Sequence, residues 1–265
     1  MDLELAGKTA IVTGGSRGIG KAIARELAGE GVDVAIVARS TVDLQKTAAE
    51  LAEATGRRIV PITADTSSDA SVKAMVEQAA RELTHLDILV NCAAQPGGQG
   101  AVPKLGDVTD DLFWSDVNVK VMGYLRCARE VAPHMIPRGW GRIINISGLA
   151  ARSTGSIIGS MRNVAVVAMS KNLADELGPH GINVTVVHPG LTRTEKTPGV
   201  IAASAQRLGV SEADVEKRMV NNLVGHWIDA QHIAYVVTFL ASPKAAAING
   251  DVVPAAGGVR GNIYY

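Results

Sequence analysis

Two patterns of apolar residues alternate along the chain. Short runs rich in β-branched residues, at Thr9 to Thr13, Val32 to Ala38, Arg58 to Ile62, Leu86 to Asn91, Arg142 to Ile146, Asn183 to His188 and Asp251 to Pro254, predict strands. Between them, Ile19 to Gly29, Leu44 to Ala54, Val72 to Leu83 and Ile233 to Leu240 carry apolar residues at helical spacing. The strand runs are nearly continuous in apolar character, as expected when helices cover both faces of a sheet. Parallel strands need such crossover helices, so the pattern predicts an α/β fold: a Rossmann-like, doubly wound parallel sheet of about seven strands in a three-layer αβα sandwich. Ligands of such sheets lie beyond the carboxyl ends of the strands, where strand order reverses.

The first strand leads into Thr13-Gly14-Gly15-Ser16-Arg17-Gly18-Ile19-Gly20, which opens the first predicted helix. Glycines there permit a tight turn and let backbone N–H groups approach a pyrophosphate at the positive end of a helix dipole. Gly14, Ser16, Arg17, Gly18, Ile19 and Gly20 are therefore expected to bind a dinucleotide. An acidic residue at the end of the second strand would hold the ribose of NAD, but that strand ends Val37-Ala38-Arg39-Ser40. Arg39 with Arg17 suits a 2′-phosphate instead, which favours NADP(H) over NAD(H).

The bulk properties narrow the remaining choices. With 265 residues, 47% of them apolar, the chain has material for one sizeable core, and a single dinucleotide-binding domain over 1–265 is expected. Twenty-six basic and twenty-six acidic residues cancel, so no global field draws it to nucleic acid or an anionic membrane. Cys92 and Cys127 have no paired metal-ligand spacing, no run of about 18 apolar residues occurs, and the acidic start differs from a secretory signal. A cytoplasmic protein without a metal, acting on a small molecule, is expected. The segments 97–107, 151–163 and 190–210 read as irregular substrate loops. Ser211-Glu212-Ala213-Asp214 signals a short helix after the last of them.

Further along stand Asp65, Val90-Asn91-Cys92-Ala93-Ala94, Val117-Asn118-Val119, Gly141-Arg142-Ile143-Ile144-Asn145-Ile146-Ser147, Ser170-Lys171, Pro189-Gly190 and Gly257-Gly258. With the glycine turn, these make the chain resemble the short-chain dehydrogenase/reductase family, in particular its 3-oxoacyl-carrier-protein reductase type, nearly end to end. The resemblance implies that Asp65 addresses adenine, Asn91 braces the strand beside the cofactor, and Pro189 and Gly190 approach the nicotinamide. It implies a homo-oligomer, tetramer or dimer. It assigns Asn118 to a proton-relay water, and Lys171 to the nicotinamide ribose and to lowering the pKa of a tyrosine four residues before it.

That tyrosine position then holds Val167, and the family's serine falls on Gly148, or on Ser147 after a slip of one residue. The spacing from Ser147 to Val167 is longer than in this family type, the extra length lying in 151–163. A positioned acid contributes roughly 100- to 10,000-fold, so its loss amounts to about 3–5 kcal/mol of barrier. Replacement donors on this reading are His188, or Tyr264 or Tyr265 reaching a neighbouring subunit, with Ser160, Arg162 and Asn163 as further substrate-facing candidates. Cys92 reads as a buried small hydrophobe rather than a nucleophile. The expected function is a divergent NADP(H)-dependent oxidoreductase with a non-standard proton donor, acting on an enone or carbonyl. The alternative is a catalytically inactive NADP(H)-binding sensor or partner subunit.

Overall fold

The computed structural model describes residues 1–95 and 102–259. Strands β1 (Thr9–Thr13), β2 (Asp33–Ala38), β3 (Ile59–Thr63), β4 (Ile88–Asn91), β5 (Gly141–Ile146) and β6 (Ile182–Pro189) match the predicted runs to within two residues. A two-stranded ladder of β7 (Thr192–Arg193) and β8 (Ile228–Asp229) precedes the last predicted strand, β9 (Val252–Ala255). The main sheet is parallel throughout, in the order β3-β2-β1-β4-β5-β6-β9.

Successive strand residues point to opposite faces and therefore into two different cores. Ala10 and Val12 pack with α1 (Gly18–Gly29), α2 (Thr41–Thr55) and a later helix that carries Ile233, Val237 and Leu240. Ile11 packs on the other side with α3 (Asp69–Leu83) and two further helices. The result is the expected three-layer αβα sandwich. Among the described residues no helix is long and apolar enough to cross a membrane.

One helical rod spans 110–135. It comprises α4 (Asp110–Val117), a π turn over Asn118–Met122 and α5 (Gly123–Met135). In the π turn the Gly123 N–H reaches back five residues to the Asn118 carbonyl. Gly123 is needed there, because a Cβ would stand 2.9 Å from the Thr66 Cβ. After β5, α6 (Ile157–Leu177) runs antiparallel to the strands, and its start is fixed by Ser156 Oγ, which accepts from the Gly159 N–H at 3.0 Å.

Two of the expected substrate loops are largely helical. Residues 157–163 are the first two turns of α6, and most of 190–210 is α7 (Thr197–Leu208), with the predicted short helix following as α8 (Glu212–Met219). Ile201, Ala205 and Val215 pack together with Val210, Met219 and Trp227, so this lid has its own small apolar core. Part of the 97–107 loop lies outside the described residues. The chain then enters α9 (Ala230–Ala241) and β9.

Candidate active site

A cleft of about 870 Å³ lies at the strands' carboxyl ends, where β1 separates β2 from β4 and the strand order reverses. At one end is the glycine turn. Thr13 Oγ1 accepts from the N–H groups of Cys92 (3.0 Å) and Ala93 (3.2 Å), which stitches the ends of β1 and β4 together. Gly14 has φ +69°, and a Cβ on Gly20 would stand 2.2 Å from the Gly14 carbonyl oxygen, so this turn into α1 excludes side chains at both positions.

Gly18, Ile19 and Gly20 bring the amino end of α1 to the cleft. A carboxylate already uses that end: Glu195, from the lid, accepts from the Gly18 N–H at 3.1 and 3.2 Å. Ser16, Arg17 and Arg39 line the same region. Both arginines are exposed, and among the described residues neither guanidinium forms an ion pair or hydrogen bond. Asp65 also lines the cleft. Its Oδ1 accepts from the Ser67 N–H (2.9 Å) and hydroxyl (2.8 Å), bonds that hold its carboxyl below the usual range. The anion-accepting helix start and the guanidinium groups lining the cleft fit a dinucleotide.

The other end is built from the π turn, the end of β5 and the first turns of α6. Lys120, Tyr124, Ser147, Gly148, Gly159, Arg162 and Asn163 line it, with Pro189 and Gly190 opposite. Lys120 is 3% exposed. Its ammonium donates to the Ser147 carbonyl (2.9 Å) and to Asn163 Oδ1 (2.8 Å). Burial, with the Arg162 charge adding to it, lowers the Lys120 pKa to about 7. The Ser147 hydroxyl donates to the Asn163 carbonyl (3.1 Å), and the Tyr124 hydroxyl to the Ile146 carbonyl (3.0 Å). Arg162 Nη1 grips both oxygens of Asp116 (2.5 and 2.7 Å).

Several sequence-derived assignments change at this point. Lys171 does not line the cleft: its side chain is 59% exposed, pairs with Asp175 at 3.2 Å and lies beside Gly250. It follows Asn163 by eight residues, about 12 Å along the helix, and falls off the buried stripe of α6. Val167 lies outside the cleft lining for the same reason. The partner in Ser170-Lys171 that reaches the core is Ser170, whose Oγ accepts from Asn145 Nδ2 at 2.8 Å.

Asn118 is also directed elsewhere. Its amide donates to the Ser67 carbonyl (3.2 Å) and accepts from Arg126 (2.8 Å), tying the π turn to the loop after β3. Asn91 is fully buried and donates to Asn145 Oδ1 at 2.9 Å, so it braces β4 against β5 without lining the cleft. His188 is buried behind the cleft wall. Its Nδ1 accepts from the Gly148 N–H (3.3 Å), and burial, then the Arg152 and Lys120 charges, lower its pKa to about 4. A neutral imidazole holding a backbone N–H is not a proton donor at neutral pH. Cys92 lines the cleft, but burial pushes its thiol up to about 12, which leaves it unreactive. Tyr264 and Tyr265 lie outside the described residues.

Lys120 is a cleft residue that the sequence reading missed, although a signal for it existed. Lys120, Tyr124, Cys127 and Val131 follow one another at spacings of four, three and four, which places a lysine on the buried stripe of an amphipathic helix.

The sequence profile described as short chain dehydrogenase matches residues 8–204. The chain is 35% identical to the short-chain reductase protein NovJ of Streptomyces niveus, over 94% of this chain and 92% of that protein. It is 37% identical to the chloroplastic NADPH-dependent aldehyde reductase 2 of Arabidopsis thaliana, over 97% and 95%. The solved structure of L-sorbose reductase from Gluconobacter frateurii, complexed with NADPH and L-sorbose, is similar with a TM-score of 0.93 at 28% identity, covering 99% of this chain and all of that one. A profile match over most of the chain, together with relatives above 30% identity along nearly its whole length, places the protein in the short-chain dehydrogenase family.

Proposed function

We propose that the protein is an NADP(H)-dependent reductase of a carbonyl or conjugated carbonyl compound, whose proton comes from a group other than a tyrosine on α6. The carrying observation is the continuous cleft, with uncommitted Arg17 and Arg39 at the glycine turn and a buried, hydrogen-bonding floor of Ser147, Asn163 and Lys120 at the other end. Similarity to an NADPH-dependent aldehyde reductase and to a sugar reductase complexed with NADPH supports the same reading.

When bound, the reduced nicotinamide supplies a hydride. The chain's residues do the rest. The start of α1 takes the pyrophosphate in place of Glu195, and Arg17 and Arg39 take the 2′-phosphate through paired donors. Pro189 and Gly190 bound the nicotinamide end, and the lid formed by α7 and α8 keeps water from the reacting carbon. Among the described residues the tyrosine lining the cleft is Tyr124, and its hydroxyl proton is committed to the Ile146 carbonyl. A phenol on α6 is absent, because the helix turns that face the cleft carry Gly159, Arg162 and Asn163.

The test is calorimetric titration with NADPH and NADH, followed by transfer of deuterium from 4-deuterated NADPH into a panel of aldehydes, ketoses, 3-oxoacyl thioesters and enones. Tight NADPH binding with label in a product is expected. Tight binding with no label in any member of the panel would replace the reductase with a cofactor-binding sensor or partner subunit.

A further inference from the structure

The buried Ser147 and Tyr124 hydroxyls of the cleft have committed protons: Ser147 donates to the Asn163 carbonyl and Tyr124 to the Ile146 carbonyl. Arg162 is held on Asp116 and, as a guanidinium, keeps its protons. The amine of Lys120 differs from these. An ammonium has three donors, and among the described residues two acceptors, the Ser147 carbonyl and Asn163 Oδ1, are within hydrogen-bond distance. No carboxylate pairs with it among the described residues, since Asp116 is taken by Arg162. It can therefore lose its third proton as a neutral amine and keep both hydrogen bonds, so proton transfer needs no rearrangement of its anchors.

The placement of the two partners has a further meaning. In the family that this chain belongs to, an asparagine is expected on the helix before β5, and a lysine on the helix after it, four residues beyond the tyrosine. Here the cleft-facing residues of α6 with that spacing are Gly159 and Asn163, and the preceding helical rod presents Lys120 and Tyr124 to the cleft. In the cleft an amine thus stands on the rod and an amide on α6, and they meet at 2.8 Å.

Building on the reductase reading above, we infer that Lys120 is the catalytic proton donor of this cleft, delivering a proton to the substrate's carbonyl oxygen, with Asn163 as its positioning residue. As a hydride reaches the carbonyl carbon, the C=O π pair moves to oxygen. In a conjugated substrate the hydride adds at the β-carbon and the displaced pair again reaches that oxygen. An N–H bond of Lys120 breaks, an O–H bond forms, and the nitrogen retains the electron pair as a neutral amine that solvent reprotonates. The products are an alcohol or an enol, with the cofactor oxidised. The titratable and charged groups around the amine are Arg162, Asp116, Cys92 and His188. Burial and the Arg162 charge favour the proton's departure, while the Asp116 charge opposes it.

The test combines Lys120→Met and Lys120→Arg with side-chain NMR of lysine-labelled wild-type protein. For the panel substrate that wild type reduces best, Lys120→Met is expected to lower turnover by about 100-fold or more, with NADPH affinity changed by less than about threefold. Wild-type turnover should fall as pH rises through neutrality, and that limb should be missing in Lys120→Arg, whose guanidinium does not titrate there. In the cofactor-free protein one lysine resonance should titrate near neutrality. The inference is overturned if Lys120→Met keeps wild-type turnover, or if every lysine resonance titrates above about 9, a measurement that does not depend on either variant folding. A wild type that binds NADPH and reduces nothing in the panel overturns the reductase reading and this inference together. An active wild type indifferent to Lys120 overturns this inference alone.

Discussion

His188 shows how a buried ring reports on the whole site. Its pKa lies near 4 in the folded protein against an ordinary 6.5, so between those values the unfolded chain binds the proton and the folded chain does not. Stability should therefore fall as pH drops from about 6.5 towards 4, by up to about 3 kcal/mol from this residue. Denaturant midpoints measured at pH 7.5 and 5 should show that loss in wild type and a smaller one in His188→Asn, whose amide oxygen can still accept the Gly148 N–H. At this scale the sequence was uneven to read. Ser147, Arg162 and Asn163 were legible as cleft residues, and Cys92 as an inert one. Lys171 and Asn118 were not, because a short motif fixes a residue's neighbours in sequence but not the direction of its side chain. The π turn compounds this, since it breaks the α-helical phase that would relate Asn118 to Lys120.

At the scale of elements, α1 provides a matched pair of glycines. Gly20→Ala would place a methyl group 2.2 Å from the Gly14 carbonyl oxygen, and should weaken NADPH binding at least tenfold and cost roughly 1–3 kcal/mol of stability. Gly29→Ala, in the last turn of the same helix with nothing within 4 Å, should stabilise by about 0.5–1 kcal/mol and leave binding unchanged. Thermal unfolding and cofactor titration of the two variants separate these outcomes. The sheet strands were legible almost to the residue, because β1, β2, β4, β5 and β6 are apolar runs buried on both faces and the edge strands β3 and β9 keep β-branched residues. The helices α6 and α7 were harder. Residues 151–163 and 197–208 are rich in Gly, Ser, Thr or Ala without a strong apolar stripe, and were read as loops. The stripe that does exist on α6, Asn163, Val166, Ser170, Ala174 and Leu177, points to the cleft-facing phase and excludes Lys171 from it.

For the molecule as a whole, the equal numbers of acidic and basic residues conceal a local imbalance. Arg17 and Arg39 stand together at the end of the cleft nearest β2 without an acidic partner in hydrogen-bond contact among the described residues. Replacing both with serine should raise the Kd for NADPH by about 10-fold or more and leave that for NADH within about twofold, as read by titration at one fixed salt concentration. Doubly wound topology made the location of this cleft predictable before any side chain was placed, since it follows from where the strand order reverses. The lid's attachment did not follow from topology. Glu195 is carried on that lid and caps the Gly18 N–H, so under the proposed function a dinucleotide has to outcompete a tethered rival whose local concentration is set by the chain itself. On the reading proposed above, seating the coenzyme there also releases this link between the lid and the glycine turn.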